Sequence, residues 1–463
     1  MRQTLEKHKR RQSNRSPAVL DEAPTGKLIV FLLFVIPVAS TIAYGAVDMW
    51  AASFLSIISG AVVILWIAHG WRERAFRFDM SALQVPILGI IAIACVQLLP
   101  IGFPNISPDL LNIPVVNTLS LDPYSTRFFL IRLVIVFIFF AAALTFLDSL
   151  KRLKKFALMI IIFGAVMAFA GILQRLASPD AIYGLRATPQ AIPFGPFVNQ
   201  HHFAAFMEMT AGLTLGLMFG GSVKKDKIAL LGIAVALMGI AILMTGSRGG
   251  FLGTIGVLGY ILAARFVSGW GQRNGATRPA STLAIVAGSA ALLIIVAGAV
   301  FYLGGGGSLF RGLGFQDQQT DITSGRSHFW SVGIWIFLDN PIIGAGFDAF
   351  GVAFTKYDTW SGFFRVEQAH NDYLQMLADG GIFAFACVAA FIFLFFRRGL
   401  RVVASSTDDF RKSITVGAMA GCFGILIHSF FDFPLRTQSN AFFFLLLVVL
   451  ATASVGDERK QAP

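Results

Sequence analysis

Arg248, Arg326 and His370 stand out in a chain dominated by apolar side chains, and together they describe a place for an anion and a proton acceptor. Arg248 lies in Thr245-Gly246-Ser247-Arg248-Gly249-Gly250, a gap with room for little more than a turn between two apolar runs. A guanidinium presents a planar fork of donors that matches phosphate oxygens, and the neighbouring Gly and Ser amides can hold an anion as well. The plainer alternative is an arginine snorkelling at a tight hairpin. Arg326 follows Thr323 and Ser324, which can cap a helix running to about Leu338 and stopped by Asn340-Pro341. A helix start offers free amides to an anion. The helix dipole disfavours Arg there, so a simple solvated first turn explains it less well. His370 sits in Glu367-Gln368-Ala369-His370-Asn371-Asp372-Tyr373-Leu374. An imidazole with a pKa near 6.5 can accept a proton at neutral pH, with Glu367 or Asp372 to orient it. On a helix from Glu367 to Asp379, His370, Tyr373, Leu374 and Leu377 would form one stripe, and a packing histidine is the alternative reading.

A second polar group surrounds them. Asn199, His201, His202 and Glu208 open an apolar run after Pro193-Phe194-Gly195-Pro196. Asn199 reads as a helix N-cap. Adjacent histidines point in different directions, which makes His201 and His202 a poor metal site. Glu208 lies about two turns deeper, where a charge costs roughly 3 kcal/mol, so it needs a partner. Arg132, in the outer turn of another run, is a candidate. His428 and Asp432, before Phe433-Pro434-Leu435-Arg436, complete the set.

The elements that must position these residues are membrane helices. The chain is 56% hydrophobic and 13% charged, about half the charge of a soluble domain, which specifies an all-α polytopic membrane protein. Twelve runs approach the roughly 20 apolar residues a crossing needs: 27–46, 51–69, 83–101, 127–147, 156–174, 200–220, 227–244, 249–266, 282–303, 382–396, 413–431 and 438–455. The net charge of +12 could suggest nucleic acid. However, 27 of the 37 Lys and Arg fall in the N-terminal tail, in alternate connections and in the C-terminal tail. That is the positive-inside pattern, with both termini cytoplasmic. The basic start, 1–26, is too long and polar for a cleaved signal peptide. It precedes a membrane domain over 27–455 and a short tail at 456–463. Cys95, Cys387 and Cys422 all lie in apolar runs, which argues against disulfides and thiolate metal sites. No metal, nucleotide or dinucleotide motif is present. The outer connections are uneven, and 304–381 is long enough to be a functional, partly helical loop. Its four-glycine start at Gly304 and its Gly344, Gly346 and Gly351 read as a flexible exit and turns.

These residues, taken in order, resemble the superfamily of O-antigen ligases and polymerases of bacterial envelopes. The matching stretches are Val198-Asn199-Gln200-His201-His202-Phe203-Ala204, Gly246-Ser247-Arg248-Gly249, Gly325-Arg326 with Asn340-Pro341 and Gly344-Ala345-Gly346, and His370-Asn371 with Gly381. Trp330 and Ala384 depart from the ligase pattern, which has Leu at the first position and Gly, Thr or Tyr at the second. The resemblance spans about 195–435. It implies a glycan donor on undecaprenyl diphosphate, held by Arg248 and Arg326, with His370 activating the hydroxyl of a lipid or glycan acceptor. Asn199, His202, Glu208, Arg132, Asn371 and Asp432 would support them. No cofactor or metal is implied, and the active face would be periplasmic in the bacterial inner membrane. A polymerase of lipid-linked repeat units fits the same residues. A transporter or flippase for the lipid-linked glycan also fits twelve helices, although transporters place polar residues near the midplane of paired repeats, and no repeat is visible here.

Overall fold

The computed structural model describes residues 24–101, 118–189, 191–268, 325–360 and 366–455. In chain order the helices are α1 (Pro24–Ile42), α2 (Met49–Glu73), α3 (Gln84–Gln97), α4 (Pro123–Phe146), α5 (Leu150–Ala177), α6 (Gln200–Phe219), α7 (Lys225–Thr245) and α8 (Arg248–Ser268). They continue as α9 (Arg326–Asp339), α10 (Phe350–Phe354), α11 (Asp372–Ser405), α12 (Asp409–His428) and α13 (Gln438–Thr452). Among the described residues the strands are two short ones, paired antiparallel between α5 and α6. The protein is an all-α polytopic membrane protein. Nine of the described helices are long and apolar enough to cross a membrane, and α3 and α13 are shorter apolar helices. Eleven of the twelve expected spans coincide with a helix; the other, 282–303, lies outside the described residues.

Two spans are shorter than expected. At 1.5 Å per residue, the 14 residues of α3 reach only about 21 Å. This helix stops at Gln97, whose side chain is committed elsewhere. Its Nε2 donates to the carbonyls of Ile343 and Asp379, the latter at 2.8 Å, and its Oε1 accepts from the Phe347 amide at 3.0 Å. A polar side chain at the helix end thus pins the late loop to the bundle.

The centre of the bundle is the α6–α12 pair, whose spans are 89% and 78% buried. Their contact follows from glycine spacing. Gly212 and Gly216 of α6 face Gly417 and Gly421 of α12, and a Cβ on Gly216 would lie 2.3 Å from the Cα of Gly417. In a lipid environment, where apolar burial does not favour one helix contact over another, close backbone approach at small residues holds helices together.

The basic connections gather at one end. Arg398 donates to the carbonyl of Thr452 and to Ser454 Oγ, Arg411 to the carbonyl of Ala453, Arg152 to that of Phe146 and Arg265 to that of Phe219. These guanidinium groups satisfy carbonyls left open at helix C-termini. The opposite end collects the starts of α6, α8 and α11 and the segment between α12 and α13.

The late loop corrects two expectations. The helix containing Tyr373 starts at Asp372, not Glu367, because Asn371 caps it by accepting from the amides of Tyr373 and Leu374 at 3.0 Å each. His370 therefore precedes the helix and shares no stripe with Leu374. The expected stop at Gly380-Gly381 is a break rather than an end. Gly381, at φ 66°, leaves helical geometry and α11 then resumes. The freed carbonyls of Ala378 and Asp379 accept from the amides of Ala345 and Gly346 at 2.9 and 3.0 Å. Gly344 and Gly346 make turns with positive φ, whereas Gly351 lies in α10, packed against Glu367. Thr323 and Ser324 lie outside the described residues, and the residue before α9 is Gly325, at φ 82°.

Candidate functional site

The site is organised around one buried carboxylate. Asp432 lies four residues beyond α12, and its side chain is 1% exposed. Arg326 Nη2 is 3.6 Å from Oδ2, His370 Nδ1 is 3.4 Å from Oδ1, and His201 Nδ1 is 3.9 Å from Oδ2. The three partners are partly open, so the carboxylate forms a floor beneath cationic and imidazole groups. The backbone amide of Phe433 also donates to Oδ1, at 2.9 Å. Burial raises the Asp432 carboxyl, but His201 and His370 outweigh it and hold the group well below the usual carboxylate range.

His370 reaches this carboxylate from a strained backbone, at φ 50°. A non-glycine residue there costs on the order of 1–3 kcal/mol, and such outliers concentrate at functional sites. Its ring lies against Phe433, at 4.9 Å between centroids, and Phe329, at 6.0 Å. Around the first turn of α9, His328 stacks on Trp360 at 4.2 Å and contacts Asp358 Oδ1 at 2.9 Å.

Arg248 is the first residue of α8, directly after the turn formed by Gly246 at φ 64°. Ser247 caps that helix, its Oγ accepting from the Gly250 amide at 3.1 Å. The same Oγ lies 2.9 Å from His201 Nδ1 and 3.5 Å from His428 Nε2. His428 Nδ1 contacts Glu208 Oε1 at 2.8 Å, and both side chains are fully buried. A continuous chain of polar groups therefore runs from Asp432 through His201, Ser247 and His428 to Glu208. Gly249 and Gly253 make room for it, since a Cβ on either would lie within 2.3 Å of His428 or Glu208.

The remaining predicted residues divide. Asn199 is an N-cap, accepting from the His201 amide at 2.8 Å. His202 turns away from His201, with Nδ1 2.7 Å from Thr437 Oγ1. Arg132 is not the partner of Glu208; it approaches Asp348 at 3.8 Å, and Glu208 takes His428 instead. Helix α4 sits nearer the late loop than α6 does, and a histidine at the end of α12 is already packed over Glu208. Arg436 donates to both Asp348 and Asp379, the latter at 2.5 Å. Sequence reading missed Asp348 and Asp379 as partners. Their signal was an acidic residue within an otherwise apolar, glycine-rich stretch, which demands a cation nearby.

This arrangement can bind an anion and move a proton: guanidinium and helix-start amides for the first, a carboxylate-oriented imidazole for the second. No curated protein matches the chain. A family model described as O-Antigen ligase matches residues 233–389, the stretch holding Arg248, Arg326 and His370, so this part of the chain is similar to that family.

Proposed function

We propose that the protein transfers a glycan from an undecaprenyl-diphosphate carrier to an acceptor hydroxyl at the periplasmic face of the bacterial inner membrane. The similarity of residues 233–389 to the O-Antigen ligase family model supports glycan transfer of the ligase or polymerase kind. The observation that carries the finer reading is the convergence of Arg326, His370 and His201 on buried Asp432, beside Ser247-Arg248.

In this reading Asp432 orients His370 through Nδ1 and leaves Nε2 to accept the acceptor's proton. The 3.4 Å contact is long, as such contacts often are before substrate binds. The deprotonating oxygen forms a bond to the anomeric carbon. The bond from that carbon to the diphosphate oxygen breaks, and its electron pair leaves on the phosphate. Charge therefore grows on the leaving group. Arg248 and Arg326 hold it more strongly in the transition state than in the ground state, which lowers the barrier. No metal is needed for this step. The gathering of basic connections at the opposite end supports cytoplasmic termini.

Purified protein in lipid nanodiscs, given undecaprenyl-diphosphate glycan and candidate acceptors, tests the reading. Glycan on the acceptor with release of undecaprenyl diphosphate supports it. Intact donor moved across a vesicle membrane, without transfer, would instead make the protein a transporter. A deletion strain separates the two transferases: free long polymer marks a missing ligase, and single capped units mark a missing polymerase.

A further inference from the structure

A cavity of about 370 Å3 lies between α3, α4, α11 and the segment from Ser429 to Ala441, and Phe433, whose ring contacts His370, lines it. The Phe433 ring is 4.9 Å from both the His202 and His370 rings. The cavity wall holds polar groups with nothing to bond. Gln438 is 4% exposed, and neither its Nε2 nor its Oε1 has a partner. His202 is 8% exposed; its Nδ1 is taken by Thr437, while Nε2 has no partner. Gln368 Oε1 is likewise buried and unpaired. A buried amide or imidazole without a partner costs free energy that a water, an ion or a ligand can recover. A wall offering donors and acceptors side by side complements hydroxyl groups, which are both at once.

The charges on the wall balance, with Arg132 and Arg436 set against Asp348 and Asp372. Arg132 and Arg436 are engaged by Asp348, and Arg436 also by Asp379. Asp372, bonded by Ser429 Oγ at 3.0 Å, adds a further carboxylate. A phosphate entering here would meet two carboxylates, while Arg132, whose Nε has no hydrogen-bond partner, is a further donor open to a hydroxyl. Deeper in, Leu133, Val136, Met376 and Val388 make an apolar wall.

We infer that this cavity is the acceptor pocket, seating a neutral sugar ring on an apolar stem, with its hydroxyls bonded by Gln438, His202 and Gln368. The inference rests on the glycan-transfer reading, since the cavity adjoins His370 through Phe433 and the neighbouring Gln368.

The test uses a photoreactive dodecyl glucoside with the full-length protein in nanodiscs and no donor present, the label being mapped by peptide mass spectrometry. Labelling of the 123–146 or 372–388 peptides should be competed by dodecyl glucoside and not by dodecyl phosphate. Gln438→Leu should weaken competition about tenfold, the scale of one or two lost hydrogen bonds. In transfer assays it should raise the acceptor KM while leaving the donor KM unchanged. Leu133→Trp, which fills the apolar wall, should do the same, with undecaprenyl-diphosphate binding showing that each variant is folded. Absence of competed labelling, or equal competition by dodecyl phosphate, would mean a cavity holding water or lipid only and would overturn the inference. So would an unmoved acceptor KM in both variants alongside normal transfer. Intact glucoside labelling with no transfer to any acceptor would support the sugar site and strike the glycan-transfer reading alone.

Discussion

Replacing Asp432 by Asn keeps the shape of the side chain and the bond from the Phe433 amide, but removes the charge that three groups face. If Asp432 orients His370, the variant loses part of what the base contributes. A positioned general base contributes about 10²–10⁴-fold, or about 3–5 kcal/mol at 1.36 kcal/mol per decade. His370→Ala sets the upper end of that range, and Asp432→Asn should fall within it. Stability should change less than for a fully enclosed pair, where losing one partner costs about 3–5 kcal/mol. Arg326 keeps a fifth of its side chain exposed and can recover some hydration. Single-turnover transfer measured alongside thermal unfolding separates the two losses. The decisive measurement is the double variant. Groups that act as one unit are strongly non-additive, so Asp432→Asn added to His370→Ala should lower the rate by clearly less than the product of the two single losses. A double loss equal to the product of the single losses, or turnover within twofold of wild type in Asp432→Asn alone, would refute the orienting role.

His370→Ala should abolish transfer while membrane insertion and unfolding temperature stay near wild type; normal glycan attachment in that variant would end its assignment as base. Arg326→Lys should lower turnover at least tenfold, because an ammonium cannot reproduce a two-pronged contact with phosphate, and donor titration in single turnover would show it. Gly216→Val should prevent the α6–α12 contact, since its Cβ has only 2.3 Å to the Gly417 Cα, and folded yield from membranes should collapse; normal yield would contradict the packing. Asp432 titrates below the usual carboxylate range when folded, so its ionic contribution is complete above the unfolded value near 3.9 and is lost only as pH falls through the folded one. The difference in unfolding temperature between wild type and Asp432→Asn should therefore shrink as pH falls below about 4.

The helices were legible because lipid imposes a simple rule: every crossing needs a long apolar run, and Lys and Arg collect on one side. Where the rule loosens, the reading slips. Helix α3 is short because Gln97 serves the loop, and no periodicity announces a glutamine bonded to carbonyls some 250 residues away. The start of α11 was misplaced because Glu367 and Asp372 are both acceptable first-turn residues, and only the Asn371 cap decides between them. The site residues were legible as charges out of place, but their pairing was not. Glu208 needs a partner in either case. Choosing His428 over Arg132 requires knowing that α12, not α4, packs on α6, which the facing glycines could have suggested. Gly249 and Gly253 belong to the same class of signal, small residues that vacate space for a buried ionisable neighbour.

The two halves of the site are held by different means, and this bears on how it works. His201 and Ser247 stand at the starts of α6 and α8, and His428 and Asp432 follow from the end of α12. Glycine contacts allow no slack among these helices, so this half is fixed by the core of the bundle. Arg326 and His370 come from the late loop, which is fastened by Gln97 and by Arg436 bridging Asp348 and Asp379. Asp432 is the point where the loop half meets the fixed half. A carboxylate there orients the imidazole and also registers the loop on the bundle. For that reason a charge-removing substitution at Asp432 should disturb His370 and Arg326 together, whereas Ser247→Ala should disturb only the α8 start that carries Arg248.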